Sequence, residues 1–159
     1  MLDRCRETLR GYGDRAAFVG SDLAQDWREA VGEGYDVVIS MNAIHHLETD
    51  EKRAAYARCL DVVRPGGLLV LQERVAFDGR FWPHIRTLWQ VRAQDEGTEP
   101  HALDADLTHA QWLEAERAGG DKPETLELQL GWLRAIGFDP VTCFQQLADR
   151  VVFGGLRPG

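Results

Sequence analysis

The chain has 159 residues, 44% hydrophobic and 28% charged, which fits one soluble domain with a real core. Its formal net charge of -8 argues against a general nucleic-acid binder, whose footprint is a basic face. No apolar run approaches the roughly 18 residues that span a bilayer, and no basic-then-apolar leader opens the chain, so neither a membrane nor a secretory route is expected.

Leu2, Cys5 and Leu9 recur at helical spacing and predict a helix over residues 1–10, ended by Gly11 and Gly13. Residues 16–19 read as a short strand, and Gly20-Ser21-Asp22-Leu23 as the loop after it. Trp27, Ala30 and Val31 suggest a helical turn or two before Gly32 and Gly34. The clearest pattern lies in residues 35–73. Asp36-Val37-Val38-Ile39-Ser40 is a short β-branched run of the kind buried on both faces of a sheet. A polar loop follows, then Tyr56, Cys59, Leu60 and Val63 form one helical stripe. Thr49 or Asp50 is the expected cap of that helix, and Glu51 suits its positive end. Pro65 stops the helix, Gly66-Gly67 turn the chain, and residues 68–72 form a second apolar strand. Two buried strands joined by a helix make a right-handed crossover of a parallel sheet.

Beyond Glu73, the residues Phe81, Ile85, Leu88 and Trp89 give a helical stripe with Pro83 in its first turn. A polar loop is expected over about residues 94–106. Thr108 and Gln111 form a capping-box pattern for a helix through Arg117. Gly119-Gly120-Asp121-Lys122-Pro123 reads as a break. Leu126, Leu130 and Leu133 line another helix, which Gly137 ends. Residues 140–145 and 150–156 read as strands around a turn at 146–149, short enough for an antiparallel pair. The expected fold class is therefore α/β, with a sheet that is parallel except near its carboxyl-terminal strand pair. Cys5, Cys59 and Cys143 lie far apart without paired metal-ligand spacing, and read as small apolar residues in a reducing cytoplasm.

An Asp opening an apolar strand, a loop ending in "HHL" and a helix running into "RPGGLLVLQE" resemble the middle of the class I S-adenosylmethionine-dependent methyltransferases. The stretch "WLRAIGF" before a strand pair is similar to the way that family closes its sheet. "AAFVGSDLA" resembles the segment just after its second strand. The likeness runs from residue 1 to about 157. It implies a Rossmann-like sheet and a single partial methyltransferase domain over 1–159, with a helical substrate cap inserted at about 77–120. It also implies S-adenosylmethionine as cofactor and a small-molecule acceptor. The family's G-x-G-x-G turn after a strand has no counterpart, because Gly11-Tyr12-Gly13 follows a helix and Gly32-Glu33-Gly34 precedes a strand. An N-terminal βαβ unit is thus expected upstream of these residues, or on another chain, or to be lost in a non-catalytic binding or scaffolding relative. Its removal predicts a free sheet edge covered by a homodimer or a partner chain.

The same resemblance places Ser21, Asp22 and Leu23 at the adenine, although Asp22 could simply cap its turn. It places Ser40, Met41 and Asn42 at the methionine end; Met41 reads equally as core filling. His45 and His46 are the expected general-base candidates, since a neutral imidazole accepts protons near pH 7. The alternative packs one of them under the helix. No metal site is expected, because adjacent side chains diverge and no third ligand is evident. Glu73 and Arg74 end a strand and are expected to face substrate, or to form a solvated ion pair. The aromatic cluster Phe77, Phe81, Trp82, Trp89 and Trp112 suits an apolar acceptor. Phe81 and Trp89 follow the helical stripe toward the core, which leaves Trp82 as the pocket residue.

Overall fold

The computed structural model describes residues 2–97 and 107–159. Helix α1 spans Leu2–Thr8 and a 3-10 turn follows at Arg10–Arg15. Residues 16–19 form no strand, contrary to the sequence reading. An extended segment becomes a strand only when a neighbour takes its backbone groups, and here Val19 lies open to solvent. One short helical turn, α2, occupies Arg28–Val31.

Strand β1 (Tyr35–Met41), a 3-10 turn (Ile44–His46), helix α3 (Thr49–Val62) and strand β2 (Val63–Arg74) form the crossover. The α3 cap is Glu48, one residue before the expected Thr49. Glu48 and Glu51 close a reciprocal capping box, while the Thr49 hydroxyl donates to Glu124 Oε1 at 2.6 Å. The other end of α3 is closed from a distance. Arg157 Nη1 donates to the carbonyls of Leu60, Asp61 and Val63 at 3.0, 3.1 and 2.6 Å, which satisfies the orphan acceptors of the last turn. Strand β2 begins five residues earlier than the apolar run suggests. Its Gly67 sits where a Cβ would meet Val63 Cγ1 at 2.7 Å and the Asp36 carbonyl at 3.0 Å, so the entry to the sheet requires glycine.

Helix α4 spans Trp82–Glu96, so most of the expected polar loop that is described is helical; its remainder, 98–106, lies outside the described residues. Helix α5 spans His109–Ala118 with the predicted Thr108–Gln111 capping box, and α6 spans Leu126–Ile136. Strands β3 (Val141–Leu147) and β4 (Arg150–Leu156) complete the sheet. Its order is β1-β2-β4-β3. β1 and β2 are parallel, with Val38 opposite Leu69 and Ser40 opposite Leu71. β4 runs antiparallel to both β2 and β3.

The core fills one face of this sheet. Leu69, Leu71, Val151 and Phe153 pack against Tyr56 and Cys59 of α3, Leu126 and Leu133 of α6, and Phe138. The buried Tyr56 hydroxyl donates to Gln129 Oε1 at 2.6 Å and locks α3 to α6, and burial holds its phenol well above the usual range. The other face of β1 is bare. Val37, Ile39 and Met41 are 45%, 63% and 60% exposed. The expectation of a strand buried on both sides fails because α3 and α6 lie on the same side. No helix among the described residues is long and apolar enough to cross a membrane.

Candidate active site

Glu73 is the anchor of the site. Alternation along β2 puts it on the packed face with Leu69 and Leu71, and it is 0% exposed. A buried carboxylate demands donors. It receives them from Ser40 Oγ at 3.2 Å and from the backbone N–H groups of Ala43, Ile44 and His45 at 3.4, 3.1 and 3.2 Å. The loop after β1 is therefore wrapped around one side chain of β2. The fifth partner is His45 Nδ1, 2.6 Å from Glu73 Oε2. A carboxylate only accepts, so the ring proton sits on Nδ1 and the lone pair of the neutral ring on Nε2.

Nε2 points toward Asp121, 3.4 Å from its Oδ1. Asp121 comes from the loop after α5, where Gly120 takes a φ of +97°, a conformation natural to glycine. The Lys122 N–H donates to the His45 carbonyl at 2.9 Å and pins this loop against the histidines. His46 Nδ1 also meets Asp121 Oδ1, at 2.9 Å. The other oxygen of Asp121 accepts from Arg74 Nη1 at 2.7 Å. Arg74 further pairs with Glu116 and, at 3.1 Å, with Asp149. Burial opposes charge on Arg74, but Asp149, Glu116 and Asp121 outweigh it and hold the guanidinium above its usual pKa. Burial and the neighbouring Asp121 raise Glu116. Burial also pushes on Asp121, yet Glu116, His45 and Arg74 together bring it below the ordinary carboxylate range.

This network leads from His45 to an open cavity of about 750 Å³ at the carboxyl end of the sheet. Arg74, Glu116, Asp149, Trp89, Trp112 and Asn42 line it. Trp89 Nε1 donates to Asp149 Oδ1 at 3.0 Å. A cleft outside the carboxyl ends of strands is where open α/β sheets bind ligands.

A methyltransferase domain family matches residues 1–67 of the chain. An O-methyltransferase family protein from Burkholderia thailandensis has the same architecture over 99% of this chain, with a TM-score of 0.65 at 19% identity. The chain has the class I methyltransferase fold. The apo form of the S-adenosylmethionine-dependent methyltransferase SibL is equally similar, with a TM-score of 0.64, 20% identity and 99% of this chain covered. The chain spans 41% of the length of each of these two solved structures. In sequence it is 32% identical over 75 residues to the highly reducing polyketide synthase pkhB of Emericella nidulans, which is 46% of this chain and 3% of that protein.

Within this methyltransferase fold, the residues singled out from sequence fall in different places. His45 is 5% exposed and tied to Glu73, whereas His46 is half exposed. Glu73, expected to face substrate, is sealed in the core and holds the histidine loop instead. Arg74 does reach the cavity, in a part-buried cluster rather than a solvated pair. Ser40 is bound to Glu73, Met41 is exposed at the end of β1, and Asn42 Oδ1 accepts from Arg150 Nη1 at 3.2 Å at the cavity wall. Asp22 is exposed, and its Oδ1 accepts from the Ala24 N–H at 2.9 Å, which is the turn-capping arrangement. Ser21 is exposed beside it, and Leu23 is partly buried against the core. The aromatic assignments reverse. Trp82 is 6% exposed, donates to the Leu107 carbonyl at 2.8 Å and stacks with Phe77, while Trp89 lines the cavity. Phe81 is exposed rather than core. Asp121 and Asp149 were not singled out at all.

Proposed function

We propose that this chain carries the acceptor side of an S-adenosylmethionine-dependent methyltransferase that acts on a small molecule through an ionisable O–H or C–H group. The carrying observation is the buried His45–Glu73 pair, with Nδ1 fixed on the carboxylate and Nε2 left to take a proton. Methyl transfer to a hydroxyl or an acidic carbon needs such a base, whereas transfer to a neutral amine needs mainly alignment and desolvation.

The residues present fit one side of the cofactor. Asn42 lines the cleft just after β1, with Ser40 and Met41 before it on the strand, and Asp22, whose Oδ1 accepts from the Ala24 N–H, has its Oδ2 and the Leu23 N–H to offer the adenine. The 159 residues hold no glycine-rich turn after a strand, so the contacts they offer the cofactor are limited to this side. When bound, S-adenosylmethionine supplies an electrophilic methyl group. The chain's own part is to hold the acceptor in the cavity between α4, α5 and the β3–β4 turn, which act as a substrate cap. His45 Nε2 would take the acceptor's proton and so free the acceptor's lone pair for the methyl group, with S-adenosylhomocysteine as the leaving group. Glu73 and Asp121 then stabilise the imidazolium from either side. Trp89 and Trp112 provide apolar walls, which suits an aromatic or apolar acceptor. Three free cysteines suit a reducing cytoplasm.

The test is release of labelled methyl from S-adenosylmethionine by the full-length enzyme with a panel of phenols, enols and β-keto esters. His45→Gln should cut turnover about 10²- to 10⁴-fold with cofactor affinity preserved. Wild-type turnover in that variant, or activity confined to amines, overturns the proposal.

A further inference from the structure

We infer that His45 Nε2, His46 Nδ1 and Asp121 Oδ1 form a site for one divalent transition-metal ion, zinc by chemistry, bordering the candidate active site. The site stands on the donors alone. Its effect rests on the function proposed above, because the ion and the acceptor proton would compete for the same lone pair on His45.

The three donor atoms come from segments 75 residues apart, and all lie within 4.8 Å of one another. Asp121 Oδ1 stands 3.4 Å from His45 Nε2 and 2.9 Å from His46 Nδ1. An ion with bonds of about 2.0–2.2 Å in tetrahedral geometry separates its donors by roughly 3.3–3.6 Å. Small side-chain movements therefore suffice to close the shell. Neighbouring side chains usually diverge, but the 3-10 turn at Ile44–His46 brings these two rings to 4.2 Å between centroids, inclined by 47°.

The surroundings are those of a metal ligand set. A ligating histidine characteristically gives its other ring N–H to a carboxylate, which fixes the tautomer and aims the lone pair. Glu73 does this for His45, and is itself held by four further donors. Arg74 holds Asp121 by Oδ2 and leaves Oδ1 toward the imidazoles. The charge is unbalanced. Glu116, Asp121 and Asp149 share one guanidinium, that of Arg74, while Glu73 is paired with His45. Of the other nearby cations, Lys122 is committed to Glu48 at 3.0 Å and to the His46 carbonyl at 3.1 Å, Lys52 donates to the Lys122 carbonyl, and Arg150 stands 3.8 Å from Asp149 and donates to Asn42. Two imidazoles and one carboxylate suit zinc, cobalt or ferrous iron, and suit magnesium or calcium poorly, since those ions prefer all-oxygen shells. His46 is half exposed and gives the ion a way in.

The experiment is a titration of the purified chain with Zn²⁺ by calorimetry and with Co²⁺ by visible absorption, without cofactor or acceptor. One ion per chain should bind, with the d–d bands of a low-coordinate nitrogen–oxygen site. His46→Ala, a change at a half-exposed side chain, should weaken binding at least about tenfold, and Glu73→Gln by about 10- to 100-fold through loss of orientation. Circular dichroism confirms that each variant is folded; should Glu73→Gln unfold, His46→Ala decides alone. No saturable binding overturns the site, as does wild-type affinity in His46→Ala or a thiolate charge-transfer band from binding at a cysteine. Turnover of His45→Gln, set against Zn²⁺ binding by the wild-type chain, separates the two roles: full turnover in the variant with saturable wild-type binding removes the base and keeps the site, whereas lost turnover with no saturable wild-type binding keeps the base and removes the site.

Discussion

Lys52 and Lys122 are joined by a 2.5 Å hydrogen bond from the Lys52 ammonium to the Lys122 backbone carbonyl, 70 residues away. Lys52 is 1% exposed, so α3 reaches through the protein to hold the loop that carries Asp121. Burial lowers the Lys52 pKa from its ordinary 10.5, and Glu124 and Glu48 only partly offset it. A lysine with a lowered folded pKa binds fewer protons when folded than when unfolded across the window just below 10.5. Stability contributed by this group therefore rises with pH in that window. Lys52→Met should lack the rise. Urea unfolding of both proteins from pH 8 to 10.5 measures it, and parallel pH profiles would refute the assignment.

Glu73→Gln should destabilise the fold as well as the base. The amide turns a donor toward the His45 N–H and Nδ1–H, both of which now donate to Oε2. Each buried group left unpaired costs about 1–3 kcal/mol. The urea midpoint should fall at unchanged slope. An unaltered midpoint would mean that the loop after β1 is held by something other than Glu73.

Much of this architecture was legible in the sequence. The crossover from Tyr35 to Arg74, the Thr108 capping box and the final hairpin follow from apolar periodicity, caps and turn length. The burial of Glu73, though not its role, had a signal in its parity: it shares a face of β2 with Leu69 and Leu71, yet the sequence reading set it toward substrate. Asp121 was not. Between Gly120 and Lys122 it looks like any turn residue, and only tertiary packing brings it to His45 and His46. The cap of α3 moved to Glu48 because Thr49 found a partner in Glu124, a contact with no local trace.

Cys59 should be chemically silent. Burial pushes its thiol up to about 12, and Tyr56 packs beside it in the core. The thiolate is the reactive form, so almost none is available near neutrality. Iodoacetamide should label the partly exposed Cys5 and Cys143 in the native protein and leave Cys59 unmodified until urea is added. Peptide mapping reads the outcome. Native labelling of Cys59 at a rate like that of the other two would show that α3 opens readily from the sheet.

The 159-residue chain alone should bind S-adenosylmethionine weakly. Asp22 spends its carboxylate on the Ala24 N–H in an exposed turn, residues 16–19 form no strand to support it, and no glycine-rich turn is present to approach the cofactor. Calorimetric titration should give a dissociation constant weaker than micromolar. Micromolar or tighter binding without an added partner would mean that the contacts at Ser40, Met41 and Asn42 suffice.

The bare face of the sheet predicts self-association. Val37, Ile39 and Met41 project from one side of β1, and register places them beside Leu68, Val70 and Gln72 of β2 and then Gly154 and Val152 of β4. The packed face has α3 and α6; the three β1 side chains on the opposite face are between 45% and 63% exposed. Parallel strands normally sit in sheets covered on both sides, and a contiguous apolar patch of more than about a few hundred Å² is rare on a monomer. β1 is also the end strand of the sheet, so its outer backbone groups offer a pairing edge beside that patch. A second copy of the chain can cover both across a two-fold axis. Sedimentation velocity at micromolar concentration should therefore show a dimer. Ile39→Lys puts a charge at the centre of the exposed stripe without touching the core, and should return the chain to a monomer of unchanged circular dichroism. A wild-type chain that sediments as a monomer would show that this face tolerates water.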